Sequence, residues 1–159
     1  MIDNNLKYSE AQMQIRKPVS TVFKAFIDPE LTKHFWFTKG SDKLEVGKQV
    51  TWTWEMYNFS TKVIATEILT DKKISIDWFT TNPPTTVDFD FKTLSDGTTF
   101  VTIKHYGFGQ TGDELIETLK DSTGGFTIVL AGLKSFLEHN INLNLIADKF
   151  PKEIAEYAK

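Results

Sequence analysis

The chain has 159 residues, a formal net charge of −3, 40% hydrophobic and 25% charged residues, and no cysteine. That length suits one domain spanning 1–159 with a core that needs no staples. The missing thiols exclude disulfides, thiolate metal sites and cysteine nucleophiles, and an acidic balance with Arg16 as sole arginine argues against a nucleic-acid partner.

The opening M-I-D-N-N-L-K lacks the charged and apolar regions of a secretion signal, and no apolar run reaches membrane-spanning length. A cytoplasmic protein without a membrane span is therefore expected. Residues 6–15 alternate polar and apolar as a first strand. Lys17-Pro18 ends it, and Pro18 fits the opening turn of a helix carrying Val19, Val22, Phe23, Phe26 and Ile27 at helical spacing. Asp28-Pro29 breaks that helix and caps a second, short one running to about Phe35.

Strands follow. Residues 43–46 form a short one ending at Gly47. Over 49–57 the alternation places Val50, Trp52, Trp54 and Met56 on one face. Further strands cover 60–69, 73–79, 86–94 and 98–106, separated by Asn58, Thr70-Asp71, Asn82-Pro83-Pro84 and Ser95-Asp96-Gly97. Such short links mean antiparallel neighbours and not parallel crossovers.

The period then changes to that of a helix. Residues 113–120 read as one helical segment, and Asp121-Ser122-Thr123 offers caps for a longer one. Phe126, Val129, Leu130, Leu133, Phe136 and Leu137 make its apolar stripe down to about Asn140. Gly132 interrupts that stripe at a cost of about 1 kcal/mol relative to Ala, which close packing would explain. A C-terminal tail, 141–159, has apolar positions at Leu143, Leu145, Ile146, Phe150, Ile154 and Tyr157. These pack on their own domain or meet a second subunit, in which case the chain is a homodimer.

The order β-α-α-β-β-β-β-β-β-α defines an α+β fold: a curved antiparallel sheet of about seven strands wrapped on a long C-terminal helix. Gly107, Gly109 and Gly112 spell G-x-G-x-x-G, yet the strand before them alternates and no strand follows, so they read as a turn and not a nucleotide site. His105 shares a strand face with Val101 and Ile103. If that face is inward, His105 lies beneath the long helix. It is then either satisfied by a backbone carbonyl or hydroxyl, the commoner case, or a polar group that orients a ligand or moves a proton.

At 13% aromatic residues, with 13 Phe and 4 Trp, the chain has rings enough to fill a core or to line a cavity. Trp52 pairs with Trp54 on one strand face and Phe89 with Phe91 on another, while Trp78 shares a face with Ile74 and Ile76. Phe23, Phe26, Trp36, Phe126 and Leu130 come from helical segments meant to face the sheet. A sheet gripping a helix is hard to fill at both ends, which favours a ligand-sized cavity over a filled core. Asp88 and Asp90 read as a solvated strand face, and His34, His105 and His139 lack the paired spacing of a metal site. No metal, cofactor or catalytic set is assigned.

The segments I-R-K-P-V-S-T-V-F-K-A-F-I-D-P-E-L with Phe35-Trp36-Phe37, V-T-I-K-H-Y-G-F, and G-G-F-T-I-V-L-A-G-L-K-S-F-L-E resemble one family. It is the branch of the START-related helix-grip superfamily named for the activator of the heat-shock protein 90 ATPase. His105, Gly107 and Phe108 match the family's His-x-Gly-aromatic strand end, and Phe126 stands where Trp is common. The resemblance implies the helix-grip fold. It also implies a choice among functions, because the superfamily holds lipid carriers, receptors, cyclases and chaperone activators.

Three readings follow. The first is a non-enzymatic carrier or sensor that binds a small, largely apolar or aromatic molecule. Its pocket is formed by Trp52, Trp54, Trp78, Phe89, Phe91, His105, Phe126 and Leu130, with Phe23, Phe26 and Trp36 near the mouth. The second is a protein-interaction module with a chaperone partner, as the family name implies. The third is a cyclase- or hydrolase-type enzyme using His105 as base, which needs a carboxylate or Tyr hydroxyl in reach of that ring.

Overall fold

The computed structural model describes residues 6–157, and of the tail position Tyr157 only the backbone. In chain order the elements are β1 (Tyr8–Ile15), α1 (Val19–Ile27), α2 (Pro29–Thr32), β2 (Lys39–Gly40), β3 (Gln49–Trp54), β4 (Phe59–Leu69) and β5 (Lys73–Trp78). They continue with β6 (Thr85–Thr93), β7 (Thr99–Tyr106), α3 (Gly112–His139), α4 (Leu145–Lys149) and α5 (Lys152–Tyr157). The seven strands form one antiparallel sheet in the order β1-β7-β6-β5-β4-β3-β2. This is the expected α+β arrangement, with the long helix following the last strand.

The one non-sequential neighbour pair is β1 with β7. It brings Ser9 opposite His105, while β6 brings Val87 to the other side of that histidine. Strand alternation then sets what points into the interior: Thr85, Val87, Phe89 and Phe91 on β6, and Thr99, Val101, Ile103 and His105 on β7, all buried. A register shift between Ala65 and Glu67 in β4 marks a bulge, the usual device for bending a sheet. α3 runs for 28 residues, roughly 42 Å at 1.5 Å per residue, and so spans that curved face.

One half of the space under α3 is solidly filled. Phe26 sits 5.1 Å from Phe89 and 5.4 Å from Phe35, and Phe23 sits 5.5 Å from Phe91, all measured between ring centres. Leu130 and Leu133, from the second half of α3, are completely buried with them. Gly132 fits its expectation of close packing: a Cβ there would stand 3.2 Å from both the Cβ and the carbonyl oxygen of Phe35.

Several local expectations change. The strand read over 49–57 ends at Trp54, and Glu55–Tyr57 form a 3-10 turn that leaves Met56 exposed and off the inward face. Pro18 does not enter α1 but precedes it, in extended backbone with ψ 150. Residues 43–46 form no strand apart from an isolated bridge between Val46 and Ala65; the pairing strand is instead Lys39–Gly40. Val46 is 60% exposed, so nothing draws it into the sheet. A Cβ on Gly40 would stand 2.6 Å from Pro29 Cβ, and this close approach seats β2 beside α2. Finally, residues 113–120 and the proposed caps Asp121, Ser122 and Thr123 all lie inside the single helix α3. Its N-cap is Thr111, and the Ser122 hydroxyl bonds across to the sheet instead of back to its own helix.

Candidate functional site

The two halves of α3 present different faces to the sheet. Towards the C-terminal end the inward positions are Phe126, Val129, Leu130 and Leu133. Towards the N-terminal end they are Thr118, Ser122 and Gly125, spaced by four and three residues along one helical stripe. These side chains are short, and only the Ser122 hydroxyl meets the sheet, at its β1–β7 side. Beneath them remains a cavity of about 430 Å³, within the range of roughly 300–1,000 Å³ common for small-molecule sites.

Its walls are aromatic and come from five directions. Trp54 projects from β3, Phe59 from β4, Trp78 from β5 and Phe126 from α3, while Trp36 enters from the turn after α2. Trp36 anchors the group, with ring-centre distances of 5.6 Å to Phe126, 6.0 Å to Trp78 and 4.9 Å to Trp52 behind it. Edge-on packing of this kind holds rings in fixed orientations. The Trp78 Nε1–H is buried and has no acceptor among the described residues.

The segment after α3 forms part of the enclosure. Ile146, Lys149 and Phe150 line the cavity from α4 and its end. Tyr57, itself on the lining, donates a hydrogen bond to the Ile146 carbonyl and ties α4 to the sheet side of the mouth.

His105 closes the inner end. Its Nδ1 is 2.8 Å from Ser122 Oγ on α3, and its Nε2 is 2.7 Å from Thr85 Oγ1 on β6. Ser122 Oγ in turn lies 2.6 Å from Ser9 Oγ on β1. Three strands and the helix therefore meet through one hydroxyl-imidazole chain. Burial of the ring, which is 7% exposed, pushes its pKa down to about 4. The ring is neutral at physiological pH, so one nitrogen donates and the other accepts.

This chemistry orients more readily than it catalyses. An imidazole of such low pKa is a weaker base than an ordinary one, and its partners are hydroxyls, with no carboxylate or tyrosine bonded to either nitrogen. The site thus offers an apolar hollow with an uncharged polar end.

Of the residues singled out from sequence, Trp36, Trp54, Trp78, His105 and Phe126 come together around this cavity. Phe23, Phe26, Phe89, Phe91 and Leu130 lie in the filled half of the interior, and Trp52 stacks 4.8 Å from Phe37 behind the wall. Sequence reasoning missed Tyr57, Phe59, Ser122, Gly125 and Lys149. A run of small residues on the sheet-facing stripe of α3 was the available signal. His34 stacks on Phe136 at 4.6 Å and borders a separate hollow of about 80 Å³, while His139 is exposed at the end of α3. Among the described residues no group of three His, Asp or Glu could hold a metal ion, and no helix is long and apolar enough to cross a membrane.

The model of one protein family, Activator of Hsp90 ATPase homolog 1-like protein, matches residues 16–138. No curated protein matches the chain. Solved structures share the fold. Protein SSP2350 from Staphylococcus saprophyticus is 27% identical, with 86% of this chain and 96% of that one covered and a TM-score of 0.75. MLL2253 from Mesorhizobium loti is 17% identical over 85% and 99%, with a TM-score of 0.72. The Aha1 dimer from Colwellia psychrerythraea is 17% identical over 84% and 98%, with a TM-score of 0.71.

Proposed function

The chain belongs to the Activator of Hsp90 ATPase homolog 1-like family, and we propose that this member binds a small, largely apolar molecule between its sheet and long helix, as a carrier or sensor and not as an enzyme. The observation that carries this reading is the 430 Å³ hollow walled by Trp36, Trp54, Trp78 and Phe126. A concave, largely apolar cleft of this size with a few polar groups at one end is the usual form of a small-molecule site. Its rings supply the driving force, at about 25 cal/mol for each Å² of apolar surface removed from water. His105 stays neutral and keeps both hydroxyl partners, so it bounds the inner end of the occupant by ring contact and not by a hydrogen bond.

A thermal-shift screen of fatty acids, flavonoids and other aromatic metabolites tests the reading. Compounds that fit raise the melting temperature of the wild type, and a side chain placed in the hollow by Gly125→Leu diminishes the shift. A screen in which no compound moves the melting temperature counts against it.

Self-association is a second element of the proposal. The Colwellia neighbour is described as a dimer, and in this chain Leu143, Phe150 and Ile154 are each about half exposed along the segment after α3. Light scattering coupled to size-exclusion chromatography decides it. A dimer mass that falls to monomer with Ile154→Glu supports the idea, and a monomer at all concentrations removes it.

A further inference from the structure

α3 carries two adjacent glycines, Gly124 and Gly125, far from either end. Neither has a positive φ, so backbone geometry does not call for them. Close packing does not call for Gly125 either. A Cβ there would meet nothing within 4 Å, in contrast to Gly132, where Phe35 leaves no room. Yet Gly125 lines the cavity. The one structural consequence of its missing side chain is extra space in that hollow.

Gly124 tells what stands beside the space. A Cβ there would meet only Lys149 Nζ, at 3.2 Å, so the ammonium rests against the helix where no side chain intervenes. Lys149 is exposed, lines the cavity mouth, and lies 5.1 Å from the centre of the Phe150 ring. No carboxylate among the described residues comes within 4.0 Å of its Nζ. The nearby Lys120, by comparison, is engaged by Glu117 at 3.0 Å.

Resting on the binding reading above, we infer that the occupant is an apolar carboxylic acid, its body lying across Gly125 and its carboxylate paired with Lys149 at the mouth. The inner lining excludes the opposite placement. Indole and phenyl rings with a hydroxyl-bonded His105 offer no countercharge, and the unpaired Trp78 Nε1–H is itself buried within the wall, so the charge stays outside. A cation at the mouth would meet the ammonium of Lys149. Asp121 is the only carboxylate on the lining; it is solvent-exposed on α3, about one turn before Gly125, and not in salt-bridge contact with Lys149. An anion touching Lys149 therefore feels the ammonium at contact distance and Asp121 through water.

The test is calorimetric titration of the full chain with 9-anthracenecarboxylic acid and dodecanoic acid, each against its methyl ester. The acids bind about two- to five-fold tighter than the esters at low salt, the worth of one exposed charge pair. Lys149→Gln brings the acids down to the level of the esters, and Lys149→Arg keeps the difference. Gly125→Leu weakens acid and ester together while the melting temperature stays at or above that of the wild type; Gly125→Ala gives a smaller loss in the same direction and serves if Leu disturbs the helix. Equal binding of acid and ester overturns the assignment of charge and leaves the binding reading intact. Undiminished binding to both Gly125 variants overturns the placement of the body. Failure of every probe to bind the folded wild type overturns the inference together with the reading beneath it.

Discussion

Ser122 and His105 meet across the interior, Oγ to Nδ1 at 2.8 Å, and join the middle of α3 to the last strand of the sheet. Ser122→Ala removes that partner and the 2.6 Å contact with Ser9 in one step. Leaving buried polar groups unpaired costs about 1–3 kcal/mol. Urea unfolding of Ser122→Ala is expected to show a loss of that size. Combined with His105→Leu, the loss is smaller than the sum of the two single losses, because both remove one shared contact. Strict additivity would mean that the two residues do not interact.

His105 also makes stability depend on pH. Its folded pKa, about 4, lies below the ordinary value of 6.5 because burial penalises the charged ring. Between those values the unfolded chain binds the proton and the folded chain does not, so stability falls as pH drops from about 6.5 towards 4. The loss attributable to this ring is on the order of 3 kcal/mol across that window. Comparing unfolding midpoints of the wild type and His105→Gln at pH 7.5 and pH 5 isolates it. The variant should lose less on acidification; an identical loss in both contradicts the assignment.

Two glycines on one helix should respond to alanine with opposite signs. At Gly125 the added methyl meets nothing within 4 Å, and the helix gains up to about 1 kcal/mol. At Gly132 it stands 3.2 Å from the Phe35 carbonyl oxygen, which backbone cannot readily yield. Overpacking of this kind costs roughly 1–3 kcal/mol and outweighs the helical gain. Melting temperatures should therefore rise for Gly125→Ala and fall for Gly132→Ala. A rise at both would mean that Phe35 moves aside freely.

Truncation after Asn140 removes Ile146, Lys149 and Phe150 from the lining and leaves Phe26, Phe89, Leu130 and their neighbours untouched. The shortened chain is expected to fold with its far-ultraviolet spectrum largely preserved. Its tryptophan emission shifts to the red and becomes easier to quench with acrylamide, since Trp36, Trp54 and Trp78 lose their cover. An unchanged quenching constant would show that α4 does not shield the hollow. Tyr57→Phe, which deletes only the bond to the Ile146 carbonyl, gives the same change in weaker form.

The fold was legible because alternation and helical periodicity report burial directly. Val50, Trp52 and Trp54, or Val101, Ile103 and His105, announce an inward face wherever the strand lies in the sheet. The cavity was harder to read, because periodicity marks which residues are inside and not whether their side chains meet. Phe89 and Trp78 carry the same signal, yet one is packed against Phe26 and the other faces open space. What separates them is the partner across the gap, a large ring from α1 in one case and Ser122 and Gly125 from α3 in the other. Ser122 was misread as a helix cap for a local reason: serine beside Asp121 and Thr123 is a common start signal, and a hydroxyl reaching 113 residues back to Ser9 leaves no mark in the nearby sequence. Lys149 lies in a tail whose sequence pattern marks its apolar positions only, and nothing local sets this lysine apart from the other exposed ones.

The binding claim is tested most directly by fluorine NMR of the chain labelled with 5-fluorotryptophan, whose four tryptophans report separately. Titration with 9-anthracenecarboxylic acid should move the resonances of Trp36, Trp54 and Trp78 strongly and that of Trp52, behind the wall, much less. Four resonances that stay fixed up to saturation of the probe would contradict the account.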